Sequence, residues 1–185
     1  MADIRKALDI LGYLEHNSDE TKVLHKNKFE DGYTFFGIYQ KAHPTWKGWV
    51  EVKAVLNVQP DLKKAGVKLM QSQSLKDLVV KFYKEEFWNK ARLDEVISQE
   101  IATEIFIFMV NVGPAVAIKR AQRLAGCTED GSVGPMTIKA LNALDEKKFD
   151  FTFDDLEKEY YDSLIKNKPY LGINKNGWYK RADYV

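Results

Sequence analysis

Ile105-Phe106-Ile107-Phe108-Met109-Val110-Asn111-Val112-Gly113-Pro114 is the stretch on which the fold turns. It closes a longer segment, residues 94–112, in which Ile97, Ile101, Ile105, Phe108 and Met109 recur at helical spacing. Gly113 stops this helix, and Pro114 suits the first turn of the next. Gly126 marks where that second helix ends. The turn Asp130-Gly131-Ser132-Val133-Gly134-Pro135 again sets proline at a helix start, and the helix should run to about residue 144. Asp154 or Asp155 can cap a last long helix through residue 165, with Leu156, Tyr160, Tyr161 and Leu164 as its apolar and aromatic positions. The apolar run over 105–110 is far shorter than the ~20 residues of a membrane helix.

Working outward, the chain opens on another helical stripe, Ile4, Ala7, Leu8, Leu11 and Leu14, ended by the polar Glu15-His16-Asn17-Ser18-Asp19. Residues 17–34 hold no helical period and read as an irregular loop, with a short hairpin around Asp31-Gly32. The run over 33–40 reads as a short strand entering a helix that His43-Pro44 ends. A helix is expected over 50–58 and another over 75–89, with Leu75, Leu78, Val79, Phe82, Phe87 and Trp88 on its stripe. Between them, residues 61–67 are polar, follow Pro60 and include Gly66, which predicts a loop. The tail motif Gly177-Trp178-Tyr179-Lys180-Arg181 reads as a packing anchor. No repeat, low-complexity tract or flexible linker interrupts the chain. The fold class is mainly α, with one small irregular loop or hairpin after the first helix.

Composition narrows the function. A chain of 185 residues with 45 % hydrophobic and 12 % aromatic residues can bury one sizeable core. Lys+Arg number 28 against 27 Asp+Glu, so no global field draws the protein to nucleic acid or an anionic membrane. Lys63, Lys64 and Lys68, or Lys22, Lys26 and Lys28, are local runs that ordinarily form solvated faces. The single cysteine, Cys127, excludes an internal disulfide and a Cys-rich zinc site, and it reads as packed. His16, His25 and His43 lack metal-ligand spacing, so neither a metal nor a cofactor is expected. Gly-rich phosphate loops and Ser or Cys nucleophile motifs do not occur. Met1-Ala2-Asp3-Ile4-Arg5-Lys6 has no apolar h-region, so synthesis in the cytoplasm without a signal peptide is expected, as a monomer.

Chemistry centres on Glu15, at i+4 from Leu11 and i+7 from Leu8 on the first apolar stripe. At the edge of a core, desolvation and the negative helix end would both favour its neutral form, as a general acid requires. Alternatively the helix frays there and Glu15 meets only solvent. The loop behind it offers Asp19, Glu20, Glu30, Asp31 and the hydroxyl of Thr34. A helix-end carboxyl group facing a loop carboxylate can flank a glycosidic bond. Each loop acid taken alone is more often a solvated surface charge. Trp46 and Trp49, three apart, suit stacking on sugar rings or a place in the core.

Together these motifs resemble glycoside hydrolase family 108. Residues 108–114, Ala117-Ile118-Lys119-Arg120-Ala121-Gln122, Asp130-Gly131-Ser132-Val133-Gly134-Pro135-Met136-Thr137 and Gly177-Trp178 with Arg181 resemble the peptidoglycan-binding region that accompanies these muramidases of phages and bacteria. The first half looks like their catalytic region. Glu15 stands at the Glu that ends the first helix, and Gly32-Tyr33-Thr34-Phe35-Phe36-Gly37-Ile38 matches a Gly-x-Thr-x-x-Gly-Ile pattern. His16-Asn17 replaces the usual two glycines, the loop is longer, and the family's aspartate position falls on Phe29. The resemblance implies a lysozyme-like fold with a catalytic region over 1–95 and a peptidoglycan-binding-like helical region over 96–185, integrated into one body. It also implies hydrolysis of the β-1,4 bond between N-acetylmuramic acid and N-acetylglucosamine. Glu15 would be the general acid, Glu30 the second carboxylate with Asp31 and Asp19 as alternatives, and Thr34 a holder of water. Tyr33, Gln40, Trp46 and Trp49 would line the glycan cleft. The expected partner is the peptidoglycan glycan strand, without nucleic acid or membrane insertion. A phage-type endolysin acting on the periplasmic wall after release fits this reading. The alternative is a non-catalytic peptidoglycan-binding or secretion-accessory protein of the same fold.

Overall fold

The computed structural model describes residues 1–27 and 31–185. Nine α-helices and three short strands are found among the described residues, which is the mainly α, lysozyme-like class expected. The chain divides into two compact units, Leu8–Lys84 and Met1–Ala7 with Glu85–Val185. No helix among the described residues is long and apolar enough to cross a membrane.

In the Leu8–Lys84 unit, α1 (Ile4–His16) contributes Leu8 and Leu11 to the core. It stops where Asn17 and Ser18 take φ of 53° and 54°, a left-handed conformation that short polar residues tolerate. The Asp19 side chain then accepts bonds from the Thr21 backbone N–H and hydroxyl, shaping the turn. Strands β1 (Leu24–His25), β2 (Thr34–Phe35) and β3 (Ile38–Tyr39) follow as an antiparallel sheet in that order. The strand-to-helix transition expected over 33–40 is instead a β2–β3 hairpin. Its two-residue loop, Phe36-Gly37, has positive φ at both positions, which matches the twist of paired strands. The Tyr83 hydroxyl donates to the Phe36 carbonyl at 2.8 Å, and a Cβ on Gly37 would lie 2.7 Å from that hydroxyl. Only glycine fits.

Helices α2 (Gly48–Val58), α3 (Leu62–Leu69) and α4 (Gln73–Glu86) complete this region. α3 replaces the loop expected over 61–67. Asp61 caps it by accepting from the Lys64 N–H at 3.0 Å, and Ala65 and Leu69 bury its apolar side. Gly66 serves close approach there, because a Cβ would meet the Glu20 carbonyl oxygen at 2.8 Å. α4 ends at Glu86, earlier than the stripe over 75–89 implied.

In the other unit, the N-terminus is tied down by Ala2 N–H donating to the Val96 carbonyl and Asp3 N–H to the Gln99 side chain. Two 3₁₀ turns, Trp88–Ala91 and Leu93–Glu95, lead into α5 (Gln99–Val112), capped by Ser98. Every residue from 101 to 109 is buried, so α5 is a central helix, apolar on all sides but for Thr103 and Glu104. Removing its Ile, Phe and Met side chains from water contributes roughly 1.5–3 kcal/mol each. α6 (Pro114–Leu124) and α8 (Glu146–Asn167) pack against it, α7 (Pro135–Leu141) lies on α6, and α9 (Lys175–Ala182) lies on α8. Both proline starts stand where the sequence placed them. α8, however, begins two turns before Asp154, because Asp145 caps it by accepting from Lys148 N–H. Trp178 on α9 stacks on Tyr161 at 4.9 Å, which makes the tail a packing anchor.

Candidate active site

The end of α1 and the small sheet enclose a cleft of about 260 Å³. Glu15 and His16 come from the last turn of α1, Lys22, Val23, His25 and Asn27 from the loop and β1, and Thr34, Gly37 and Tyr39 from the hairpin. The sheet register explains the grouping: Thr34 is paired with His25 on one side and Tyr39 on the other. Fixing the hairpin therefore fixes Thr34 in the cleft, where it is buried.

Glu15 is exposed. The burial expected from its place on the stripe belongs instead to His16, which is 8 % exposed. One residue further along a helix turns the side chain by about 100°, and here that turn carries His16 inward. The Phe36 ring meets the imidazole edge to face at 5.2 Å. Neither ring nitrogen has a hydrogen-bond partner among the described residues. Burial lowers the proton affinity of His16 below its ordinary value of 6.5, against the opposing pull of Glu15, Asp19 and Glu20. A neutral imidazole therefore stands beside Glu15 at neutral pH.

Other residues singled out in the sequence lie elsewhere. Asp19 is engaged by Thr21 and by Lys22 at 3.2 Å, and these bonds hold its carboxyl below the ordinary carboxylate range. Asp31 pairs with Lys41 at 3.3 Å on the surface. Tyr33 and Gln40 close the hairpin on each other, with Tyr33 N–H donating to the Gln40 side chain and Gln40 N–H to the Tyr33 carbonyl. Trp49 is buried, and its indole N–H donates to the His43 carbonyl at 2.8 Å. Trp46 packs between Phe35, Trp49 and Phe82. Trp49 thus serves the core, and Trp46 is half-buried beside it. Glu30 lies outside the described residues, as does Phe29. Among the described residues Glu15 is the only carboxylate lining the cleft.

The sequence model of glycosyl hydrolase 108 matches residues 15–113, a match that starts at Glu15. The chain belongs to glycosyl hydrolase family 108. This is a family of N-acetylmuramidase-type peptidoglycan hydrolases, and the protein is accordingly a glycoside hydrolase. Its fold is similar to that of SagA from Brucella abortus, with a TM-score of 0.64 at 20 % identity over 97 % of this chain and 91 % of that one. No curated protein matches the chain.

In this family-108 hydrolase the cleft offers an exposed carboxyl group, a buried hydroxyl residue, a buried neutral imidazole and the ammonium of Lys22. Such a set can donate a proton to a leaving oxygen and hold polar groups of a sugar. His16, Lys22, His25, Asn27 and Tyr39 were not singled out for the site by sequence reasoning. Only His16 had a local signal, its place directly after Glu15 where the family carries glycine. His25 and Tyr39 reach the cleft through strand pairing, and Lys22 and Asn27 through the chain flanking β1.

Proposed function

We propose that this hydrolase cleaves the β-1,4 bond between N-acetylmuramic acid and N-acetylglucosamine with Glu15 as the general acid. The observation that carries this reading is that Glu15 and Thr34, remote in sequence, line one cleft. Glu15 protonates the departing glycosidic oxygen while a carboxylate supports the oxocarbenium-like centre or activates water. Glu30 is the second carboxylate in this proposal. Asp31 and Asp19, the alternatives, are engaged by Lys41, Thr21 and Lys22 and do not line the cleft. Thr34 holds the attacking water. Tyr33 and Gln40 shape the hairpin beside the cleft. Peptidoglycan is the substrate, and an endolysin released through a holin is the setting proposed for it. The support for that setting, and for wall binding by residues 96–185, is the resemblance of the second-half motifs to the binding region of phage muramidases.

Digestion of purified sacculi tests the assignment, with reducing ends identified by mass spectrometry. Wild-type protein should release muropeptides ending in N-acetylmuramic acid. Glu15→Gln should lower the rate by at least ~100-fold with unchanged circular dichroism, the scale of a lost general acid. Full activity in Glu15→Gln would overturn it.

A further inference from the structure

Glu104 stands out in the centre of α5. It is 1 % exposed within a run of buried residues. α8 crosses beside it and carries Asp150, Asp154 and Glu157 at i, i+4 and i+7, which is one face of a helix. Ligand atoms of Glu104, Asp150 and Asp154 lie within 4.8 Å of one another. One oxygen of Glu104 and one of Asp154 are buried with no hydrogen-bond partner among the described residues. A buried carboxylate oxygen without a donor is costly, and three converging carboxylates add mutual repulsion.

The protein cations nearby do not resolve this. Lys158 lies 3.5 Å from Asp154 and also pairs with Asp183. Arg181 acts on Glu157, and the largest influences on Glu104 are burial and the neighbouring acids. Burial, with help from Glu157, Asp154 and Asp150, pushes the Glu104 carboxyl up to about 10. Burial likewise pushes Asp154 up to about 6 despite Lys158. Glu104 therefore keeps at neutral pH a proton that an ordinary carboxyl releases.

We propose that Glu104, Asp150 and Asp154 form a binding site for a divalent cation of the calcium class, which clamps α8 to α5. Calcium takes oxygen ligands at roughly 2.3–2.6 Å in flexible geometry, whereas magnesium demands a near-ideal octahedron, and three carboxylates drawn from two helices suit the former. The donor set is all oxygen, without thiolate or imidazole, which suits a hard cation over zinc or copper. Two positive charges offset most of three negative ones, and the orphaned oxygens of Glu104 and Asp154 gain a partner. Binding must also release protons from the cluster.

Thermal unfolding of the full chain tests this after chelator treatment and dialysis, with calcium, magnesium and manganese chloride added separately at pH 7.5. Calcium in about 100-fold excess over its Kd should raise the midpoint by roughly 5–10 °C. Calorimetric titration in buffers of different ionisation enthalpy should show proton release. Glu104→Gln and Asp150→Asn should both fold and both lose the shift. A wild-type midpoint unmoved by calcium would overturn the proposal, as would a calcium shift of equal size in Glu104→Gln. A response to magnesium alone would overturn the choice of class.

Discussion

Replacing Glu104 by glutamine should stabilise the chelator-treated protein, and the structure sets the scale. The Glu104 carboxyl is pushed from an ordinary value of 4.5 up to about 10 in the folded state, chiefly by burial. Between those values the folded chain binds a proton that the unfolded chain has released. Stability therefore falls as pH rises through that window, by at most about 1.4 kcal/mol per pH unit. At pH 7, some 2.5 units above the ordinary value, the ceiling is about 3 kcal/mol. Glutamine keeps the shape and is neutral at every pH, so it removes that cost. Its amide N–H must replace the shorter O–H bond that the acid donates to Asp150, which returns about 1 kcal/mol. The net expectation is a gain of ~2 kcal/mol at pH 7, or ~4–8 °C in Tm for a chain of this size. Urea unfolding at pH 5, 6, 7 and 8 in chelator measures it. The two proteins should differ little at pH 5 and diverge as pH rises. Parallel pH slopes, or a variant less stable than wild type at pH 8, would refute the reasoning.

Three further outcomes follow from the site. Gly37→Ala should cost ~1–3 kcal/mol and lower sacculus hydrolysis, because its Cβ meets the Tyr83 hydroxyl at 2.7 Å and φ there is +77°. Urea unfolding beside a turbidity assay would detect it, and unchanged values in both would remove the hairpin from the account of the site. The His16 imidazole should titrate below 6.5 by NMR, because burial outweighs the attraction of Glu15, Asp19 and Glu20. Since its folded form binds fewer protons than its unfolded form just below pH 6.5, stability should fall as pH drops through that region. His16→Phe should flatten this part of the profile, and an unchanged profile would contradict it.

Much of the helical framework was legible because its signals are local. Gly113, Pro114 and Pro135 act through their own backbone geometry, so the end of α5 and the starts of α6 and α7 could be read from single residues, whereas α5 begins at Gln99 rather than 94 and α7 ends at Leu141 rather than about 144. Glu15 at the end of α1 was legible from the stripe that precedes it and the polar break that follows. α3 was missed because its polar composition hid a cap at Asp61 and a glycine used for close approach. The β2–β3 hairpin was missed because Phe36 is an unusual residue at positive φ, and Tyr83, distant in sequence, secures the turn.

The sequence by itself determined the helical class, the family motifs and the place of Glu15, since periodicity, capping and turn geometry depend on residues a few positions apart. Tertiary structure alone decided that Trp49 packs inside, that His16 rather than Glu15 is buried, and that Glu104 meets Asp150 and Asp154. Desolvation and the convergence of charges depend on which chain segments meet in space, and no spacing along one helix encodes them.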